Sequence, residues 1–472
     1  MEQRTEGWHP RRQKSDSARL VAYDVLRAVT DDGAYANLVL PDFIRRARLN
    51  KLDASFATNL CYGTLRMRGR WDAIIARCTS GRNLFDIDPP VLDLLRLGCH
   101  QLLEFRTPPH AAIHETVTIA RNELGQNTGG FVNAVLRRVS ERADQWEEII
   151  RASTASDTEF VAVWYSHPRW TVEEFARSLE ANGRSADDLT SVLEANNTPA
   201  KVALVARDMT ARQLRRAVNS SHMEAAPGYL MPHAILLESG DPHRLWPIQE
   251  GEAGVQDEGS QLIAELTAQA PLEGSDDLWL DMCAGPGGKT ATMAAIAANK
   301  GAQIHANELQ EHRLDLVAGA VRPWADMVAL RLGDGRELGT EEAGTYDRIL
   351  VDAPCSGLGA LRRRPESRWN KSREDITDLV RLQSSLLQAA FSALRVGGVL
   401  VYSTCSPVIA ETRDVITAFL EKNPTAELRD AAPIASDLAI HEVSSKDGMI
   451  QLWPDTDQTD AMFMALLTKT AE

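Results

Sequence analysis

Two cysteines carry the strongest chemical signal in this 472-residue chain. The apolar run Arg348-Ile349-Leu350-Val351 leads into Asp352-Ala353-Pro354-Cys355-Ser356-Gly357, and Val399-Leu400-Val401-Tyr402 leads into Ser403-Thr404-Cys405-Ser406-Pro407. Ligands sit beyond the carboxyl ends of parallel strands, so thiols at those ends face a pocket. If the two strands are neighbours, both thiols face the same one. A cysteine there suits a reaction that needs covalent activation. Thiolate addition to C6 of a cytosine makes C5 enamine-like and able to take a methyl group; a base then removes the C5 proton and the thiol is eliminated. A free thiol titrates near ~8.5, so the attacking one must be deprotonated by its surroundings or as it attacks. Asp352 is placed to hydrogen-bond the N3/N4 edge of such a ring. The residues alone do not choose which thiol attacks.

A methyl donor needs its own site, and one is visible upstream. Asp281-Met282-Cys283-Ala284-Gly285-Pro286-Gly287-Gly288-Lys289-Thr290 joins an apolar run, Leu278 to Asp281, to an alanine-rich helix, Ala291 to Ala298. Strand, glycine turn and helix in that order make a nucleotide-cofactor cradle: glycines admit close backbone approach, and the helix start offers free N–H groups. The Gly288-Lys289-Thr290 ending imitates a phosphate-binding loop, but that pattern requires glycine where Cys283 stands, and G-x-G-x-x-G does not fit either. What remains is the turn after the first strand of a Rossmann-like sheet, where methyltransferases hold S-adenosylmethionine. Acids end the following strands. Glu308 lies about 20 residues beyond the turn, the spacing at which a carboxylate accepts both ribose hydroxyls. Asp334 is placed for the adenine side, and Asp352 ends the fourth strand. An amino-methyltransferase would carry Asn/Asp-Pro-Pro-aromatic after that strand; this chain has Asp-Ala-Pro-Cys.

These residues require a sheet to hold them. Strands at 278–282, 303–306, 328–332, 348–351 and 399–402 alternate with helical segments, the signature of a parallel sheet, and 446–453 with 461–467 reads as a closing hairpin. Far upstream the texture is helical. Val21, Val25 and Val29 form one stripe, which Ser15 or Ser17 could cap, and helical periodicity continues to about Arg142. Between the two lies a small mixed module with strands at 201–205 and 234–237 and a helix around 211–218. The expected organisation is a disordered tail (1–14), an all-α domain (15–145), a small α/β module that positions substrate (160–250) and an α/β Rossmann-like domain (251–472).

Composition sets the outer bounds. The chain is too long for one ordinary core, and 44% hydrophobic with 25% charged residues describes a soluble globular protein. No apolar run approaches the ~18 residues of a membrane span, and residues 1–10 contain no secretory h-region. Six cysteines without a C-x-x-C pair argue against a disulfide frame or structural zinc and for a reducing cytoplasm. Cys61, Cys78 and Cys99 are expected as small buried hydrophobes. The net charge of −15 argues against nucleic acid on average, yet residues 45–70 hold seven cations against Asp53 alone, and 361–373 hold six against Glu366. Such patches could track a phosphate backbone.

Asp281–Thr290, Asp352–Gly357 and Ser403–Ser406 resemble the RNA cytosine-C5 methyltransferases of the RsmB/Sun type. The N-terminal region, with Gly33-Ala34-Tyr35-Ala36-Asn37 and Gly129-Gly130-Phe131-Val132-Asn133-Ala134-Val135-Leu136, is similar to the NusB-like RNA-binding domain of that branch. The resemblance implies a class I methyltransferase fold and transfer of a methyl group from S-adenosylmethionine to C5 of a specific cytosine in small-subunit (16S) ribosomal RNA. It also implies the roles: Cys405 as nucleophile, Cys355 assisting product release, Asp352 at the base, and Cys283, Ala284, Gly285, Pro286, Gly287, Gly288, Lys289, Glu308, Asp334 and Asp352 at the cofactor. DNA cytosine methyltransferases use the Pro-Cys thiol instead. The arginine-rich stretch ending in Glu366-Ser367-Arg368-Trp369 is expected to line the RNA entrance. The implied partners are ribosomal RNA and S-adenosylmethionine, with no metal and no membrane, for a cytoplasmic monomer. The competing readings are a non-catalytic RNA-binding or assembly factor, against which the intact motifs argue, and the same enzyme acting on transfer RNA or another RNA.

Overall fold

The computed structural model describes residues 15–79, 81–105 and 107–471, so the tail expected over 1–14 lies outside the described residues. The chain divides into two compact units. One is the N-terminal region up to Val172 with Arg364–Asn370; the other is Glu173–Arg363 with Lys371–Glu472.

The first unit is helical. Its longer helices are Ser17–Asp32, Ala36–Arg46, Lys51–Arg66, Arg68–Cys78, Pro89–Leu103, Pro109–Glu123 and Thr128–Glu141, followed by Trp146–Ser153 and Asp157–Trp164. The Val21, Val25 and Val29 stripe is buried as its spacing requires. Its cap is neither serine but Asp16 between them, whose carboxylate accepts Arg19 N–H at 2.9 Å and also complements the helix dipole. Cys61, Cys78 and Cys99 are reduced and buried among Leu60, Trp71, Ile74 and Leu94. The segment Arg364–Asn370 packs as part of this unit. Arg368 is fully buried and donates from Nη1 to the Ser166 carbonyl at 2.9 Å, while Glu366 Oε1 accepts the Ala36 N–H at 3.1 Å. Residues 365–368 of the arginine-rich stretch are therefore interior, whereas Arg363 and Arg364 are exposed. A count of charges cannot separate a guanidinium that binds backbone carbonyls from one that faces water.

The second unit holds two sheets. Strands β1 (Val202–Ala206), β2 (Ala225–Pro227), β3 (Ala234–Leu237) and β4 (Ala253–Val255) form a small antiparallel sheet in the order β2-β3-β1-β4. Helix Ala211–Ser220, started by a Thr210/Gln213 capping box, buries Leu214 and Val218 against Leu204, Ile235 and Leu237 of this sheet. The larger sheet contains β5 (Leu278–Asp281), β6 (Gln303–Glu308), β7 (Val328–Leu332), β8 (Tyr346–Asp352), β9 (Leu394–Thr404), β10 (Ala426–Arg429), β11 (Ile450–Gln451) and β12 (Phe463–Lys469). Its order is β10-β12-β9-β8-β5-β6-β7, parallel from β9 through β7, with β12 antiparallel to both β9 and β10. The expected hairpin exists as β11 against β12, but β12 pairs more extensively with β9 and β10. β2, β4 and β10 are absent from the sequence reading, being too short to show alternation.

Central strands buried on both faces fix the layers. Trp279, Leu350, Val399 and Val401 pack with helices Glu258–Gln269 and Gly288–Lys300, whereas Leu280, Ile349, Val351 and Leu400 pack with Arg373–Ala393 and Arg413–Lys422. Neighbouring residues face opposite layers, as strand geometry demands. No helix among the described residues is long and apolar enough to cross a membrane.

The amino-terminal edge of the sheet is tied by one carboxylate. Buried Asp347 accepts the Ser275 hydroxyl at 2.7 Å, the Asp277 and Leu278 N–H groups at 2.8 Å each, and the Arg395 guanidinium. Asp347→Ala leaves those donors without an acceptor, so the unfolding free energy in urea should fall by about 3 kcal/mol.

Candidate active site

β8 and β9 lie side by side and parallel, with Asp352 opposite Ser403. The turns that follow bring Cys355 and Cys405 together, their sulfurs 3.4 Å apart. The hydrogen bond from the Cys355 thiol draws Cys405 below its ordinary value; Lys289 acts in the same direction, against burial and the Asp352 and Asp460 carboxylates. Cys355 is pushed up, first by that same bond and then by burial. Proton loss is thus favoured at Cys405 and disfavoured at Cys355. Asp352 is anchored between the strands: Ser403 Oγ donates to Oδ1 at 3.0 Å and Lys289 Nζ to Oδ2 at 2.7 Å.

The glycine turn follows β5, the strand next to β8. Gly287, with φ +94, starts helix Gly288–Lys300, and a Cβ there would meet Val317 Cα at 2.8 Å. Gly285 donates its N–H to Glu308 Oε2 at 3.1 Å, and a Cβ would stand 2.3 Å from that oxygen. Glu308 is thus held at the end of β6 facing the turn, its Oε1 accepting Gln310 N–H at 3.0 Å, and each oxygen retains a lone pair for a ligand hydroxyl. Ala284 donates to the Asn307 carbonyl at 2.9 Å, Arg313 donates to the Gly285 carbonyl at 2.6 Å, and Cys283 packs against the core below. Asp281 is buried: Thr290 Oγ1 donates to Oδ2 at 2.7 Å, and Oδ1 has no hydrogen-bond partner. Burial first, then the Asp352 charge, raise its pKa to about 7, with the Thr290 bond opposing. Asp334 ends β7 and caps the next turn through the Arg336 N–H at 3.0 Å; its hydrogen bond to the Arg336 guanidinium holds the carboxyl low. Asp334 makes no recorded bond to the other site residues, whereas the rest converge.

The chain matches the family described as 16S rRNA methyltransferase RsmB/F over residues 269–468 and the NusB family over residues 16–141. A Mycobacterium tuberculosis protein, named as a methyltransferase without a stated substrate, is 42% identical over 464 residues, 98% of each chain. The ribosomal RNA small subunit methyltransferase B of Escherichia coli is 32% identical over 464 residues, 97% of this chain and 100% of the other. The chain belongs to the RsmB/F family. Among solved structures, the crystal structure of PH0851 superposes with a TM-score of 0.79 at 19% identity, covering 97% of this chain and 100% of its own. NSun6 from Pyrococcus horikoshii with SFG gives 0.53 at 18%, covering 64% of this chain and 98% of its own; these likenesses are of fold.

The protein is accordingly an S-adenosylmethionine-dependent RNA cytosine-5 methyltransferase with a NusB-like N-terminal region. The site fits that cofactor on its own chemistry. A turn with no room for a Cβ beside Glu308, that carboxylate's open lone pairs and the unpartnered Asp281 oxygen suit a ligand rich in hydroxyl and ammonium donors.

Several residues beside the chemistry escape the sequence reading. Glu411, Ser356, Ser406 and Gln383 form a buried network beneath the two cysteine turns. Arg363 pairs with the buried Asp460. The one available signal was the repeated Cys-Ser dipeptide, Cys355-Ser356 and Cys405-Ser406. Iodoacetamide alkylation tests the thiol pair without substrate. Cys405 should react with a midpoint below the ~8.5 of a free thiol. Because removing a nearby cation disfavours the thiolate, Lys289→Met should move that midpoint to higher pH, as followed by peptide mass spectrometry.

Proposed function

We propose that the protein methylates C5 of one cytosine in small-subunit ribosomal RNA through a covalent bond between Cys405 Sγ and cytosine C6. The observation that carries this reading is the pair of sulfurs 3.4 Å apart, with proton loss favoured at Cys405 over Cys355. The small-subunit target is supported by the family's description and by the name of the Escherichia coli relative.

In this reading Cys283–Lys289, Glu308, Asp334 and Asp352 hold S-adenosylmethionine, which supplies an electrophilic methyl group when bound. Cys405 adds to C6 as its thiolate, the form that the Cys355 hydrogen bond and Lys289 favour. The electron pair of the C5=C6 bond would move to C5 and form the bond to the methyl carbon, the donor's sulfur keeping the electron pair of the broken S–CH3 bond. Asp352, fixed by Lys289 and Ser403, accepts a hydrogen bond from the N4 amino group in this reading and orients the ring over Cys405. A base then takes the C5 proton, the C5=C6 bond reforms, and Cys405 leaves with the electron pair of the C–S bond. Cys355, whose sulfur lies 3.4 Å from that of Cys405, assists that departure in this reading. On the helical unit, Arg45 and Arg46 share Asp42 and keep most of their side-chain surface exposed, at 73% and 76%, which suits a phosphate backbone.

Labelled S-adenosylmethionine with unmodified small-subunit RNA should label a single cytosine, mapped by bisulfite sequencing. Cys405→Ala should abolish transfer, and Cys355→Ala should accumulate a covalent RNA–protein adduct on denaturing gels. Transfer that survives Cys405→Ala but not Cys355→Ala reverses the two roles.

A further inference from the structure

We infer that Glu411 is the positioning residue that sets the spacing of the two active-site thiols. The inference rests on the reaction proposed above. Glu411 closes a short 3-10 turn, Ile409–Glu411, just beyond the Cys405 turn, and is fully buried, so it cannot touch RNA or cofactor. Its carboxylate instead grips both cysteine turns. Oε1 accepts the Ser356 N–H at 2.7 Å, and Oε2 accepts the Ser356 and Ser406 hydroxyls, each at 2.6 Å. Each serine is the residue after a thiol, and the two hydroxyl oxygens are 3.1 Å apart.

The clamp is itself immobilised. Gln383 Nε2 donates to Oε1 at 3.2 Å and to the Pro354 carbonyl at 2.9 Å, tying the carboxylate to the start of the Pro-Cys turn. Tyr402 OH donates to the Glu411 carbonyl at 2.8 Å, and Glu411 N–H to the Val408 carbonyl at 2.9 Å. A second seam joins the turns above it: Gly359 N–H donates to the Cys405 carbonyl at 2.9 Å, where a Cβ would meet that oxygen at 2.8 Å. Four donors converge on one side chain, which only an acceptor-only group satisfies; glutamine would offer one oxygen and turn its own N–H groups against donors. The serines that follow the two thiols thus tie both cysteine turns to one carboxylate.

The test uses the full-length protein, Glu411→Gln, and the double variant Ser356→Ala/Ser406→Ala, which removes the hydroxyl half of the clamp and keeps the carboxylate. The first readout needs neither RNA nor cofactor. Diamide takes two electrons and two protons from the thiols, becoming a hydrazine as the Sγ–Sγ bond forms. The initial rate of the Cys355–Cys405 crosslink, read by mass spectrometry, should fall about tenfold in both variants, since disulfide closure is geometrically strict. The second readout is turnover: kcat should fall about a hundredfold with KM for RNA and for S-adenosylmethionine within about twofold, as expected for misplaced reacting groups. Crosslinking and kcat both within about twofold of wild type would overturn the inference, as would lost turnover with an unchanged crosslinking rate. If the crosslink slows as expected while wild-type protein methylates no cytosine, Glu411 still spaces the thiols and the proposed reaction is what fails.

Discussion

Parallel pairing of β8 with β9 sets Asp352 opposite Ser403, and the Ser403 hydroxyl bonds the Asp352 carboxylate across that register at 3.0 Å. Both strands therefore leave the sheet at one level. Two thiols fifty positions apart in the chain arrive with their sulfurs 3.4 Å from each other, beyond the same strand ends as Asp352. A slip of one residue would turn Asp352 or Cys405 to the opposite face of the sheet. Along the same edge β5 adds the glycine turn, β6 adds Glu308 and β7 adds Asp334. The order β9-β8-β5-β6-β7 thus grades the edge from groups suited to a methyl acceptor to groups suited to its donor.

Charge at this edge is tightly constrained. Asp281 is buried and pushed to about 7, above its unfolded value, so its neutral form stabilises the fold at low pH and that contribution is lost as pH rises through about 7. Asp352 stays paired with Lys289, whose own pKa is raised chiefly by Asp352 against the cost of burial. Ionisation of Cys405 is favoured by its hydrogen bond with Cys355 and by Lys289. Without either, a buried thiolate beside two carboxylates would be costly.

What could be read from the sequence was local. Apolar runs ending in Asp281, Glu308, Asp352 and Thr404 mark strands by composition, and the glycine turn marks its own backbone requirement. The placement of Cys355 beside Cys405 follows once the strands are taken as neighbours. The Glu411 clamp is different in kind. It joins positions 354, 356, 383, 402, 406 and 411, and a buried network of that type leaves no periodic trace, since each residue alone reads as a helix, turn or loop residue. The arginine-rich stretch shows the converse limit. Its composition treats all of its cations alike, yet Arg368 is fully buried while Arg363, paired with Asp460, and Arg373, bonded to Glu173 and Glu174 at 2.9 and 2.8 Å, stay partly exposed.

The imitation of a phosphate-binding loop by Gly288-Lys289-Thr290 has a physical resolution. In such a loop the lysine and the hydroxyl at a helix start converge on an anionic ligand. Here both side chains are already taken by the protein's own acids: Lys289 by Asp352 at 2.7 Å and Thr290 by Asp281 at 2.7 Å. The Gly288 carbonyl accepts Arg207 at 3.2 Å, which ties the small sheet to the same turn. With Asp281, Glu308 and Asp352 at the ends of three adjacent strands, the edge presents carboxylates where a phosphate site presents donors. A phosphate entering there would find the Lys289 and Thr290 donors already taken and the Glu308 carboxylate beside the turn. The same strand–turn–helix backbone therefore selects a positively charged donor over a phosphate, and the selection is made by the strand-end acids, not by the glycines.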